Sequence, residues 1–133
     1  LHPGIAADPR VASLEGTDAR TLTRAHVGPG IGAVVADLSF ISLRAALGPA
    51  LALAESGAFL AALVKPQFEV GRAGVGKGGI VTDASLREAA VEAIASWLEG
   101  EGWQVAGRMV SPIRGGSGNV EHLIGARKRG GSA

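Results

Sequence analysis

The sequence predicts an α/β domain, and three observations carry that prediction. Two continuous apolar runs, Ile31 to Ala36 and Ala58 to Val64, end abruptly in charged residues, Asp37 and Lys65. Buried strands of a parallel sheet have this look. An amphipathic helical pattern, Ala84 to Glu99, follows the second run. Two consecutive strand candidates then close the chain, so that alternating strands and helices end in a hairpin-like pair.

The elements can be justified in order. Leu1 to Asp8 looks like a helix end or loop, broken by Pro3 and Pro9, and Val11 to Glu15 is a short strand candidate. The loop from Gly16 to Arg20 follows, with Asp18 or Thr21 able to cap a helical turn. His26 to Gly32 is rich in Gly and Pro and serves as a connector to the strand Ile31 to Ala36. Ser42 is a plausible N-cap for a helix from Leu43 to about Glu55, which carries Leu43, Leu47, Leu51 and Ala54 at helical spacing. Pro49 predicts a kink or restart inside it, and Gly57 is expected to end it. The strand Ala58 to Val64 comes next.

Pro66 to Val81 is a long loop with five glycines, Gly71, Gly74, Gly76, Gly78 and Gly79, together with Arg72 and Lys77. Glycine-rich backbone with cationic side chains can cradle phosphate. The spacing matches neither the dinucleotide fingerprint nor the P-loop, so contact with an anion or an RNA backbone and service as a lid both remain open. Asp83 can cap the next helix, whose apolar face carries Leu86, Ala90, Ile94, Trp97 and Leu98. Gly100 or Gly102 stops it. Trp103 to Val110 and Val120 to Ala126 are the closing strands, joined by a Pro- and Gly-rich turn. Trp97 and Trp103 are expected to pack in the core, and Asn119 fits a turn role beside Gly118 better than a substrate contact.

With 133 residues the chain makes one domain at most, and 47% hydrophobic against 19% charged residues indicates a folded protein. A net charge of +1 does not announce a nucleic-acid binder. The cluster Arg127-Lys128-Arg129 has its simplest explanation as a solvated tail. The absence of cysteine excludes disulfides, a cysteine nucleophile and thiolate metal sites, and His2, His26 and His122 lack paired ligand spacing. No apolar run reaches the length of a membrane span and no signal peptide is visible, which leaves the cytoplasm as the default location.

Lysine at a strand end is the focus of the chemistry. In an open α/β sheet the carboxyl ends of the strands face the ligand crevice. Lys65 closes one strand, Asp37 closes an earlier one, and Glu121 opens the late segment Asn119-Val120-Glu121-His122. Taken singly, Lys65 reads as a solvated strand terminus. An acid, a lysine and another acid, each at a strand end, are what a proton-handling site needs. A lysine serves as a general base only where desolvation or a second cation eases loss of its proton.

Several ordered segments together carry a family resemblance. They are Asp8-Pro9-Arg10-Val11, Glu15 to Arg20, Asp37-Leu38-Ser39-Phe40-Ile41-Ser42-Leu43, Leu63-Val64-Lys65-Pro66-Gln67-Phe68-Glu69 with Gly71-Arg72, Val75 to Val81, and Ser111-Pro112-Ile113 through Gly118-Asn119-Val120-Glu121. Over nearly its whole length the chain resembles the TlyA family, often labelled hemolysin A, with its FtsJ-like ribosomal RNA 2′-O-methyltransferase domain. The resemblance implies a Rossmann-like methyltransferase sheet, S-adenosylmethionine as cofactor and ribosomal RNA or ribosomal subunits as partner. It also implies catalytic roles for Asp37, Lys65 and Glu121, at the second, third and fourth places of a Lys-Asp-Lys-Glu tetrad. Lys65 would approach the ribose 2′-hydroxyl while Asp37 and Glu121 orient it. No metal is required, because the sulfonium is already a good leaving group. Asp18 matches the position that reads the cofactor's adenine, with Ala19 beside the ring, and Asp37 also borders the cofactor. An ordinary helix cap remains the other account of Asp18. Arg72, Lys77 and Arg114 are candidate RNA contacts.

Against the family pattern, a tetrad lysine, the first two strands and a glycine-rich cofactor turn would all precede Leu1. Residues 1–133 are therefore expected to form the C-terminal portion of a methyltransferase domain, truncated at its N-terminus and inactive or nearly so alone. Open sheet edges would then invite self-association. Two other functions compete: a non-catalytic RNA-binding or ribosome-assembly module using Arg72, Lys77, Arg114 and the tail, and a membrane-active hemolysin. The acidic polar face of the helix Ala84 to Glu99 speaks against the last.

Overall fold

A computed structural model describes residues 2–14, 17–38, 42–70, 75–76, 79–115 and 118–130. Its four strands are β1 (Ile31–Ala36), β2 (Ala54–Val64), β3 (Trp103–Val110) and β4 (His122–Lys128). They form one sheet in the order β1-β2-β4-β3. β1 and β2 are parallel, and β4 runs antiparallel to both β2 and β3. The α/β class and the closing antiparallel pair thus agree with expectation.

The helices are α1 (Pro3–Ala6), α2 (Arg24–Val27), α3 (Leu43–Leu53) and α4 (Ala84–Gly100), with 3-10 turns at Ala19–Thr21 and Pro66–Phe68. Asp83 caps α4 by accepting from the amides of Ser85 and Leu86. Gly102, at φ 88°, lets the chain reverse into β3. The two long helices share one face of the sheet. Leu43, Leu47 and Leu51 of α3 and Val91, Ile94 and Leu98 of α4 bury against Leu60, Ala62 and Val64 of β2, Trp103 of β3, and Ile124 and Ala126 of β4. Strand alternation turns the other residues away, so that Val35 (78% exposed), Phe59 (41%) and Met109 (56%) lie on the opposite face.

Three local expectations need correction. Of the expected strand Val11 to Glu15, Val11 to Leu14 are exposed and pair with no described strand, and Glu15 lies outside the described residues. The helix α3 ends at Leu53, short of Glu55, and β2 starts at Ala54. Gly57, at φ 83°, lies inside β2, where the pairing jumps from Ile31–Ala54 to Ala33–Phe59. The basic cluster is bound, not simply solvated. Lys128 Nζ donates to the carbonyls of Leu51 (3.0 Å) in the last turn of α3 and Ala54 (2.6 Å) just past it. Arg127 donates to Gly57 O and stacks 5.9 Å from the Phe59 ring, and Arg129 pairs with Glu99. Trp103 is fully buried and Trp97 packs partly buried against the core, as expected. Among the described residues no helix is long and apolar enough to cross a membrane.

Candidate active site

Topology brings three of the expected residues to one end of the sheet. Because β1 and β2 are parallel, Asp37 and Lys65 leave their strands at the same end. Because Val64 pairs with His122 in the antiparallel register, Glu121 enters β4 where Lys65 leaves β2. Lys65 Nζ stands 2.6 Å from Asp37 Oδ1, its side chain only 14% exposed against 66% for Asp37. The amine is thus enclosed while its partner opens to solvent. Buried Pro66 starts a 3-10 turn that leads the chain away directly after Lys65. Glu121 is 6% exposed.

Neighbouring side chains hold these strand ends. Glu69 accepts from Ser42 Oγ (2.7 Å) and from the Leu43 amide (2.8 Å), so the turn after β2 is tied to the start of the helix after β1. Its charge faces the positive end of the helix dipole. Asn119 is 2% exposed and fastens two loops: its Oδ1 accepts from the Val81 amide at 2.9 Å and its Nδ2 donates to Gly79 O at 2.9 Å. The Ser111 amide donates to Glu121 O at 2.8 Å. His122, 5% exposed, lies beneath α4 with Nε2 3.7 Å from Glu88 Oε1. Its Nδ1 is buried and meets no hydrogen-bond partner among the described residues. Burial pushes the imidazole pKa below its ordinary value; Glu88 opposes the shift, and Arg87 and Arg108 add to it.

Asp18 is the N-cap of the Ala19–Thr21 turn and accepts from the Arg20 amide. Hydrogen bonding from the Arg20 guanidinium, 2.6 Å away, is the main cause holding its carboxyl pKa down at about 2. Ala19 is half-buried beside it. Asp18 makes no bond to Asp37, Lys65 or Glu121. Its ionised carboxylate accepts only, and its exposed pair with Arg20 is a weak one. Arg114 is exposed and donates to Gly118 O at 3.2 Å. Arg72 and Lys77 lie outside the described residues. Sequence reasoning gave Glu69 no role, although Ser42 and Glu69 flank the two strand ends within the segments it singled out.

The FtsJ-like methyltransferase family model matches residues 1–128. The chain is 48% identical over 120 residues to the "16S/23S rRNA (cytidine-2'-O)-methyltransferase TlyA" of Mycobacterium tuberculosis, covering 90% of this chain and 45% of that protein. It is 36% identical to "Hemolysin A" of Brachyspira hyodysenteriae, covering 87% of this chain and 49% of the other. A solved structure of a "putative hemolysin from Lactococcus lactis" superposes with a TM-score of 0.89 at 38% identity, over 96% of this chain and 61% of that one. The chain therefore spans about half the length of the curated relatives it matches.

Proposed function

The chain belongs to the FtsJ-like methyltransferase family, and on that premise we propose that its protein methylates ribosomal RNA on a ribose 2′-hydroxyl. The Lys65–Asp37 ion pair, at the strand end where Glu121 also enters, is the observation that carries this reading. The similarity to a protein named as an rRNA (cytidine-2'-O)-methyltransferase supports it. S-adenosylmethionine supplies the electrophilic methyl group when bound. Asp18 accepts from the adenine amine, Ala19 flanks the ring, and Asp37 borders the cofactor. Lys65, once its ammonium proton has been released to solvent, meets the ribose hydroxyl and takes its proton as the oxygen becomes the nucleophile. Asp37 fixes the lysine nitrogen, and Glu121 stabilises the positive charge that develops there. Arg114, Arg72 and Lys77 contact the RNA backbone. The enzyme works in the cytoplasm, where its substrate is assembled.

Residues 1–133, which span about half the length of the curated relatives, are inactive or nearly so alone. Isolated, they self-associate. The strand β1 lies at a sheet edge, and exposed Val35, Phe59 and Met109 lie on the face away from α3 and α4. The deciding experiment is transfer of labelled methyl from S-adenosylmethionine to ribosomal subunits by the full-length protein, followed by mapping of the modified nucleotide. Incorporation at a ribose is expected. RNA binding without any incorporation would instead favour the assembly module.

A further inference from the structure

The Glu121 carboxylate lies against the backbone of Gly115. A methyl group placed on the Gly115 α-carbon would overlap Glu121 Oε2 and Cδ, whereas at Gly32, Gly48, Gly100 or Gly107 it would meet open space. Gly115 does not have a positive φ, so its backbone conformation is open to alanine. What glycine contributes at this position is room.

Which partner would yield to a methyl group follows from how each is held. The Gly115 amide donates to Asn119 O at 2.9 Å, and the Gly118 amide donates to Gly115 O at 3.0 Å. Asn119 is itself fastened to Gly79 and Val81. The wall is therefore braced from both sides of the turn. The carboxylate sits at the end of a rotatable side chain, so it moves first.

We propose that Gly115 is a positioning residue, whose missing side chain sets where the Glu121 carboxylate stands at the edge shared with Lys65 and Asp37. Its catalytic consequence rests on the methyl-transfer reading, while the steric relationship does not. In the full-length protein, Gly115→Ala is expected to lower kcat for ribose methylation about 100-fold, the cost typical of a misplacement near 1 Å. KM for cofactor and RNA, and the thermal midpoint, are expected to stay near wild type. Glu121→Asp withdraws the acid by one methylene, so adding Gly115→Ala to Glu121→Asp should cost far less than adding it to wild type, a coupling that a double-mutant cycle reads. Wild-type kcat in Gly115→Ala, or equal losses in both backgrounds, would overturn the proposal.

A second readout is independent of activity. The side-chain carboxyl carbon resonance of Glu121, assigned by its disappearance in Glu121→Gln, is expected to move in Gly115→Ala. An unmoved signal sinks the proposal even in an active enzyme. A moved signal in a protein that transfers no methyl group would sustain it while overturning the methylation reading. Should Gly115→Ala fail to fold, the double variant with Glu121→Asp is expected to restore folding, and its failure to do so would also overturn the proposal.

Discussion

Lys65 Nζ meets Asp37 Oδ1 at 2.6 Å, across the parent strands β2 and β1. The ion pair joins residues 28 positions apart in sequence. Removing the amine should separate chemistry from binding. Lys65→Ala in the full-length protein is expected to reduce methyl incorporation by about 10²- to 10⁴-fold, with cofactor affinity nearly unchanged. Single-turnover transfer of labelled methyl, beside calorimetric titration of the cofactor, checks both halves.

Asp18 offers an ionised acceptor at the surface, already met by Arg20. If it also accepts from the adenine amine, Asp18→Ala weakens S-adenosylmethionine binding and leaves the fold intact, because among the described residues its carboxylate is met by Arg20 of the same turn. Calorimetric titration of wild type and variant reads the difference. Equal affinities would reduce Asp18 to a helix cap.

Glu69 makes two hydrogen bonds to the first turn of α3. Hydrogen bonds to a charged group contribute about 1.5–3 kcal/mol, so Glu69→Ala should destabilise the fold by roughly that amount. Glu69→Gln should lose less, because an amide oxygen can still accept. Urea unfolding of the three proteins under one set of conditions orders them.

Acidification should weaken the fold through His122. Burial favours its neutral form, so its folded pKa lies below the unfolded value of about 6.5. Between those two values the unfolded chain binds more protons, and stability falls as pH drops. Glu88 opposes this from α4, while Arg87 and Arg108 reinforce it. Thermal midpoints of wild type should decline more steeply below pH 6.5 than those of His122→Gln, which cannot take up that proton. Parallel curves would show that His122 does not drive the acid sensitivity.

If the sheet edges and the exposed face of β1 and β2 drive self-association, residues 1–133 produced alone will be larger than a monomer in light scattering. Val35→Lys, on an exposed edge position, should shift them toward the monomer. A monodisperse monomer without the substitution would remove that proposal.

What the sequence made legible was local. The strand β1 was expected at Ile31 to Ala36 and lies there, because a continuous apolar run bounded by a charge has few other folds open to it. The same logic picked out Asp37 and Lys65. The segment Val11 to Leu14 carried strand propensity, but a strand exists only where another backbone pairs with it. Ala54 fitted the helical spacing of α3 and went instead to β2, where its partner is Ile31. Glu69, Asn119 and Lys128 owe their roles to bonds across 26 to 77 residues. No periodicity announces such bonds. Gly115 was one glycine in a turn rich in them until the position of Glu121 distinguished it.

The placement of β4 has a consequence for how the protein is made. This strand lies between β2 and β3 and bonds to both. Of the four strands, the ribosome delivers it last. Until then β3 has no place beside β2, and the growing chain carries unpaired backbone that a finished sheet would satisfy. Glu121 arrives with the same segment. Synthesis therefore brings β4 and Glu121 to the other described strands in one late event. A nascent chain stalled before residue 121 would lack both β4 and Glu121.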